Sequence, residues 1–373
     1  MMQIDLPKIF ISPSNYIQAK NILFNADPYL SRYGSKAVIV GDENVYGLVG
    51  DRFIDYLKDN DYTVTKLMFG GEASPEEIQK AIDEIKDPPD FVIGIGGGKT
   101  LDTAKEIGQH LNIYTVIIPT LASTDAPISR LSVLYNEDGT FNAYQFHTKS
   151  PDLVLVDPAV ISQAPPRFLA SGFGDALSTY VEAKAVGDIH GFTNAQGIGT
   201  ITAMKIAQAS TDTIFEFGAQ AFEANKAKVV TPALEAVIEA NILMSGLGFE
   251  SGGTSLAHAL QNSFPALKKG KHLMHGEKVA YSLLTQLLME NAETAVINHY
   301  LHFFLQVGLP TTLEDLGWED ATDDELMLVA NDAAAAWTGI DQLRFDTSPE
   351  AIVAAMRAVD QYSKDYQAHA LAE

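Results

Sequence analysis

The sequence predicts two domains, an α/β N-terminal half built on a parallel sheet and an all-α C-terminal half. Three observations predict it. Short, nearly continuous apolar runs alternate with amphipathic helical stretches as far as Val156. After Pro165-Pro166 the strand signals nearly vanish, and Ala-rich helical segments run to the C-terminus. The length, 373 residues, suffices for two cores of ordinary size. The boundary is expected near residue 164, giving domains of 1–164 and 165–373. Strands that read as unbroken apolar runs are buried on both faces, which is the property of a parallel sheet covered by helices.

Taken in order, Ala37-Val38-Ile39-Val40 is a β-branched run that ends at Gly41-Asp42 and leads into a helical pattern through Phe53 to Lys58. Tyr62 to Leu67 is a second strand candidate. Ser74-Pro75-Glu76-Glu77 starts a helix, with Ser74 as N-cap, Pro75 in the first helical position and Glu77 closing a capping box. Phe91 to Ile95 and Tyr114 to Ile118 are the next strands. Leu131 to Tyr135 and Phe141 to Phe146, joined by Asn136-Glu137-Asp138-Gly139, read as a hairpin. Leu153 to Val156 returns as the last strand. Helices are then expected over 167–185, 194–217, 232–249, 254–263, 276–290 and beyond.

Composition narrows the class. Apolar residues make up 46% and charged residues 20%, as in ordinary soluble enzymes. A net charge of -23 argues against nucleic acid or an anionic membrane as partner. With zero cysteines there is no disulfide or thiolate chemistry, which suits a reducing cytoplasm. Met1 to Lys8 contains Asp5 and Pro7 and lacks the basic start and apolar core of a signal peptide. No apolar run approaches the roughly 20 residues of a membrane span. A cytoplasmic protein is therefore expected.

Two loops point to a nucleotide. Gly94-Ile95-Gly96-Gly97-Gly98-Lys99-Thr100 follows a strand and opens a helix, Leu101 to Gln109, where backbone N–H groups and the helix dipole hold phosphate. It is neither a Walker loop, which needs Gly where Ile93 stands, nor a dinucleotide fingerprint, which needs Gly where Lys99 stands. Tight packing of strand on helix is the alternative use of such glycines, and Asp102 can serve the first helical turn. The second loop, Pro119 to Pro127, follows the next strand and offers Thr120, Ser123, Thr124 and Asp125 outside the carboxyl end of the sheet, where ligands bind. Hydroxyls there serve either a cofactor or turn geometry. Asp42 ends its strand as a ribose ligand, a helix N-cap, or both, and an acidic residue there disfavours the extra phosphate of NADP.

Asp175, His258 and His275 are the candidate metal ligands. Asp175 follows Ser171-Gly172-Phe173-Gly174 and opens an apolar helical run; His258 follows the turn Ser251-Gly252-Gly253; His275 lies in Leu273-Met274-His275-Gly276-Glu277-Lys278. Catalytic zinc takes about three N or O ligands and keeps one position open. The spacing matches no short motif, and any one of these residues alone could be a satisfied polar group of the core.

These residues together bring a family into view. Gly96 to Lys105 resembles the GGGxxxDxAK signature of the iron-containing alcohol dehydrogenase superfamily. Thr120 to Ser129, Gly172 to Tyr180, Phe249-Glu250-Ser251-Gly252-Gly253 and His275 to Ala280 resemble its glycerol dehydrogenase branch. The likeness runs over nearly the whole chain in the same order. It implies a dehydroquinate synthase-like, glycerol dehydrogenase-like fold: a nucleotide-binding α/β domain, a helical domain, and an active site in the cleft between them. It implies zinc on Asp175, His258 and His275, NAD on Asp42, Gly97, Gly98, Lys99, Thr100, Thr120, Ser123, Ser129, Leu131 and Tyr135, and substrate on Asp125. Thr124 and Asp102 belong to the same two loops and are carried with the cofactor set. Iron-dependent members carry a further His one helical turn after the Asp; Thr179 stands there, which favours zinc. The branch also implies a homo-octamer.

The expected activity is reversible, NAD-linked oxidation of glycerol or a related vicinal diol or secondary alcohol to the ketone. Thr254-Ser255-Leu256 and Gln261 depart from the pattern around His258, as does the basic stretch Lys268-Lys269-Gly270-Lys271. The rival is a member that acts on a phosphorylated substrate, glycerol-1-phosphate dehydrogenase-like or dehydroquinate synthase-like, for which those lysines would be the phosphate ligands. His272, three residues before His275, is the competing metal ligand.

Overall fold

The computed structural model describes residues 6–336 and 339–370. In chain order it contains β1 (Tyr16–Gln18), β2 (Lys36–Gly41), α1 (Asp51–Asp59), β3 (Thr63–Met68), α2 (Pro75–Glu84), β4 (Phe91–Gly96), α3 (Gly98–Leu111) and β5 (Tyr114–Pro119). The hairpin β6 (Leu131–Tyr135) and β7 (Phe141–Phe146) follows, then β8 (Leu153–Val156). The helices continue with α4 (Pro166–Asp188), α5 (Ile201–Lys226), α6 (Pro232–Glu239), a π turn (Ala240–Met244), α7 (Ser245–Gly252), α8 (Leu256–Asn262) and α9 (His275–Met289). After these come α10 (Thr294–Val307), α11 (Asp323–Ala334) and α12 (Pro349–Ala370). No described helix is long and apolar enough to cross a membrane.

The chain divides into two compact units. One comprises Ser12–Pro165 and Glu223–Gly246; the other comprises Met1–Ile11, Pro166–Phe222 and Leu247–Glu373. The change at Pro165-Pro166 is where the sequence changes character, but a single cut at residue 164 misses three further crossings, at 11/12, 222/223 and 246/247. Residues 223–246 return to the first unit, and the N-terminal stretch goes with the second. The crossings at 222/223 and 246/247 fall within or beside helices, so helical periodicity gives no sign of them.

The first unit holds a six-stranded parallel sheet in the order β1-β8-β5-β4-β2-β3, with the β6-β7 hairpin as a separate antiparallel pair. Every residue of β4 and β8 is buried, as expected of central strands read as continuous apolar runs. Edge strand β3 is less covered, with Leu67 buried and Thr63, Lys66 and Met68 exposed. Phe91, Ile93 and Ile39 from the sheet pack with Phe53 and Leu57 from α1 in one core, and full burial of each such side chain contributes roughly 1.5–3 kcal/mol. Edge strand β1 was not expected: it has three half-buried residues, of which only Ile17 is strongly apolar. Ser74 caps α2 by accepting the Glu77 N–H at 3.1 Å. The reciprocal half of the capping box is missing, because Glu77 Oε1 accepts the Gly70 N–H at 2.6 Å.

In the second unit the expected helices are present with three differences. The expected 194–217 helix starts only at Ile201, after a turn in which Gln196 adopts φ 64° and Ile198 bridges to Lys8. The expected 232–249 helix, most of which belongs to the first unit, is interrupted by the π turn. The expected turn at Ser251-Gly252-Gly253 is the end of α7: Ser251 and Gly252 are still helical, and Gly253 leaves it at φ 93°.

A three-ligand centre and a glycine-loop helix

Asp175 lies on α4, His258 on α8 and His275 at the start of α9. Their ligand atoms all lie within 4.8 Å of one another. Nε2 of His258 is 3.3 Å and Nε2 of His275 is 3.2 Å from the same oxygen, Asp175 Oδ1. Two donors on one tetrahedral ion at about 2.0–2.1 Å stand about 3.4 Å apart, so these separations suit a small divalent ion. Asp175 is 1% exposed, while His275 is only partly covered, which leaves a side open to a ligand. Two imidazoles and one carboxylate, with no thiolate, form an N/O donor set suited to a catalytic zinc or iron. His272 is exposed and lies outside the cluster. Thr179 is buried against Gly248, so no fourth imidazole completes the set.

Electrostatics follow from the convergence. Burial works to raise the Asp175 carboxyl, but His275 and His258 outweigh it and hold it well below the usual carboxylate range. Burial works to lower His258, yet Glu182 and Asp175 raise it well above an ordinary imidazole. His258 is thus held between the carboxylates of Asp175 and Glu182.

Glu182 was missed in the sequence. It is fully buried on α4, and Oε2 lies 2.5 Å from His258 Nδ1. Its Oε1 accepts the backbone N–H groups of Ser255 (2.8 Å) and His258 (3.0 Å). One carboxylate therefore caps the first turn of α8 and fixes the His258 ring with Nδ1 as donor, which turns Nε2 toward Asp175. Gln286 Oε1 accepts from Ala257 N (2.8 Å) and Ser255 Oγ (3.0 Å), holding the same turn from α9. The signal that could have found Glu182 is its spacing: seven residues after Asp175, two helical turns along one stripe.

His275 is placed by backbone proximity. A Cβ on Gly276 would lie 1.7 Å from the Ser171 carbonyl oxygen, so α9 meets α4 only because that position is glycine. Arg167 closes the start of the helix with a bidentate pair to Glu277, at 2.5 and 2.7 Å, and donates to the His272 carbonyl at 3.2 Å. The basic stretch is engaged elsewhere. Lys269 pairs with Asp320 and Glu325, each at 3.0 Å, and Lys271 donates to the Glu314 carbonyl at 2.7 Å. They are not gathered around a common anion position.

In the sheet-bearing unit, Gly97 is the N-cap of α3 and no side chain caps that end. First-turn N–H groups at a helix end without a side-chain cap, here those of Gly98, Lys99 and Thr100, are of the kind that can take an anion. Asp42 Oδ1 accepts the Val45 N–H at 2.8 Å, the N-cap role expected of it. Asp102 plays a different part. Its carboxylate meets Lys105 Nζ at 3.0 Å and the Val133 N–H at 3.0 Å, inside the protein. Lys105 also donates to the carbonyls of Ala126 (2.6 Å) and Leu131 (2.8 Å). The buried Asp102–Lys105 pair therefore braces α3 against the loop and hairpin that carry Ser129, Leu131 and Tyr135. Thr120 donates its N–H to the Gly96 carbonyl at 3.0 Å, setting the second loop beside the first. Ser123 and Thr124 are partly exposed on that loop; Ser129 is buried, with its hydroxyl toward the Ala126 and Leu131 carbonyls. Burial, Asp102, Tyr144 and Glu72 push the Tyr135 phenol up to about 12, so it is a neutral donor at working pH. Asp125 is nearly buried, and Ser245 Oγ donates to its Oδ2 at 3.0 Å.

The sequence profile of the family described as iron-containing alcohol dehydrogenase matches residues 13–158. Glycerol dehydrogenase 1 of Schizosaccharomyces pombe is 41% identical over 362 residues, covering 96% of this chain and 80% of the relative. Glycerol dehydrogenase of Citrobacter freundii is 40% identical over 362 residues, covering 97% and 99%. The crystal structure of the Schizosaccharomyces pombe glycerol dehydrogenase superposes with a TM-score of 0.94 at 40% identity, covering 99% of this chain and 94% of that one. Likeness at this level over nearly the full length, joined to the three-ligand centre and the uncapped glycine-loop helix, makes the chain an oxidoreductase of the iron-containing alcohol dehydrogenase family, in its glycerol dehydrogenase branch.

Proposed function

We propose that the chain is a zinc-dependent, NAD-linked dehydrogenase that oxidises glycerol, or a related vicinal diol or secondary alcohol, to the ketone and runs the reverse reaction. The observation that carries this reading is the convergence of Asp175, His258 and His275 on one point without a fourth imidazole. A zinc ion held there supplies Lewis acidity, which lowers the pKa of an alcohol hydroxyl. Asp175 and the two imidazoles would hold it, with Glu182 keeping His258 in the correct tautomer. The pyrophosphate of NAD would lie on the first turn of α3 at Gly97, Gly98, Lys99 and Thr100. Asp42 would accept from the ribose 2′-hydroxyl and repel a 2′-phosphate, giving NAD preference over NADP. Thr120, Ser123, Thr124, Ser129, Leu131 and Tyr135 would line the rest of the cofactor. Asp125 would accept from a hydroxyl beyond the reacting carbon.

In this reading the sheet-bearing unit holds the cofactor, and the helical unit holds the metal. A phosphorylated substrate is disfavoured by Lys269 and Lys271, which are engaged by Asp320, Glu325 and Glu314. A cytoplasmic homo-oligomer, octameric by family likeness, completes the proposal and is checked by light scattering. The test of the metal is direct. Chelated protein should lose NAD reduction with glycerol and regain it with stoichiometric zinc, and the purified protein should contain one zinc per chain. Restoration by ferrous iron but not by zinc would reject the assignment.

A further inference from the structure

We propose that Glu72 is the counter-ion from which the cofactor's pyrophosphate must take Lys99, so that this carboxylate weakens cofactor binding and speeds cofactor release. The inference rests on the reading of the glycine loop as a phosphate site. Glu72 belongs to no motif in the sequence. Yet Lys99 Nζ lies 2.7 Å from its Oε1 and 2.6 Å from its Oε2, so both carboxylate oxygens engage one ammonium. The same nitrogen stands 4.7 Å from the centre of the Tyr135 ring.

The backbone on either side of Glu72 is held in place. The segment bearing Glu72 is tied at one end by the Gly70 N–H donating to Glu77 Oε1 at 2.6 Å. At the other end the Tyr135 N–H donates to the Ala73 carbonyl at 2.9 Å. Glu72 therefore stays beside the first turn of α3 when a doubly charged pyrophosphate arrives, and the ligand meets a like charge and an already neutralised lysine. The pair is accessible, with side-chain exposures of 42% and 31%, so a ligand can reach it. Such half-exposed pairs are weak enough to exchange. An uncompensated Lys99 at that helix end would bind the anion more tightly and let it go more slowly. Where release of reduced cofactor limits turnover, the acid is worth retaining.

The test is an equilibrium titration of NADH, read by its fluorescence, on the metal-loaded full chain and on Glu72→Gln and Lys99→Met. Adenosine, displacing NADH, serves as the phosphate-free probe. Glu72→Gln should tighten NADH roughly two- to fivefold, the range of a half-exposed ion pair. The gain should appear as slower NADH dissociation in stopped flow, with adenosine unchanged. Lys99→Met should weaken NADH and leave adenosine unchanged. Unchanged or weaker NADH binding in Glu72→Gln overturns the proposal, as does equal tightening of NADH and adenosine. If Lys99→Met binds NADH as the wild type does, the phosphate reading of the loop fails first, and the proposal with it.

Discussion

At Glu182 one buried carboxylate meets three donors, the Nδ1–H of His258 and the N–H groups of Ser255 and His258. Glutamine can keep the backbone bonds with its carbonyl oxygen, but its amide then faces Nδ1 as a donor. That favours the tautomer with hydrogen on Nε2, the atom that must carry a lone pair for metal. Glu182→Gln should therefore weaken zinc about 10–100-fold with the fold retained, measured by competition with a chromogenic chelator. Wild-type affinity in that variant would reduce Glu182 to a helix cap. His275→Ala should abolish stoichiometric zinc while His272→Ala retains it, by metal analysis; the opposite result would exchange the two assignments. Protonation gives a signed pH dependence. Zinc must displace the proton that Glu182 and Asp175 hold on His258 above its usual range. Apparent zinc affinity should therefore rise with pH through neutrality, up to about tenfold per unit per proton displaced. The metal-free chain should show the reverse trend. A raised pKa in the folded state contributes stability that is full below the unfolded value, about 6.5, and is lost as pH rises through the folded one. The lowered carboxylates Asp175 and Glu182 are ionised in both states above about pH 6 and do not alter that slope.

The loop that carries Asp125 is fixed by one helical element, the α6 to α7 stretch with its π turn. Asn241 Nδ2 donates to the Ala122 carbonyl at 3.0 Å, and Ser245 Oγ donates to Asp125 Oδ2. Gly246 allows the contact: a Cβ there would stand 2.7 Å from Ile128 Cβ. If Asp125 reads a second hydroxyl of the substrate, then Asp125→Asn should lower kcat/KM for glycerol roughly 10–150-fold and much less for a secondary mono-alcohol, with zinc content normal. Ser245→Ala should move the same diol-to-mono-alcohol ratio in the same direction by a smaller factor. Equal losses on both substrates in Asp125→Asn would give that residue a structural role. Asp125 itself was singled out in the sequence, but its support from Asn241, Ser245 and Gly246 was not, because 232–249 reads as an ordinary helix and one π turn changes its register without changing its composition. The hairpin was legible to the residue, since Asn136 to Gly139 is a strong turn signal between two β-rich runs. Strand β1 was not, because it owes its position to pairing with β8 rather than to its own pattern. Asp102 reads from its place as serving the first helical turn, and by family likeness as part of the cofactor set. Only its partners, Lys105 and Val133, reveal a brace.

At the scale of the whole molecule, the two units carry separate candidate sites, each with its own hydrogen-bond network. The metal ligands and their supports, Asp175, Glu182, His258, His275 and Gln286, all belong to the helical unit, and the glycine loop, Asp42 and Tyr135 to the sheet-bearing unit. A ligand that binds only the native state stabilises it by about 2.7 kcal/mol at a concentration of about 100 Kd. Where units open locally, that gain is confined to openings that destroy the site. Hydrogen exchange followed by mass spectrometry separates the two effects. Zinc added to chelated protein should slow exchange in α4 around Asp175, at the start of α8 and in the first turns of α9. NADH should slow it in 94–102 and 119–135, where first-turn N–H groups gain an acceptor. The helical unit's sensitivity to metal has a physical reason in its sequence. It buries Asp175 and Glu182 beside His258, and without an ion their charge is offset by the neighbouring imidazoles, above all by a proton on His258. Chelation should therefore raise exchange in α4 and α8 most steeply at alkaline pH, where that proton leaves. Uniform protection of the whole chain by either ligand would show that the units open together, and protection of α3 by zinc alone would contradict this division of labour.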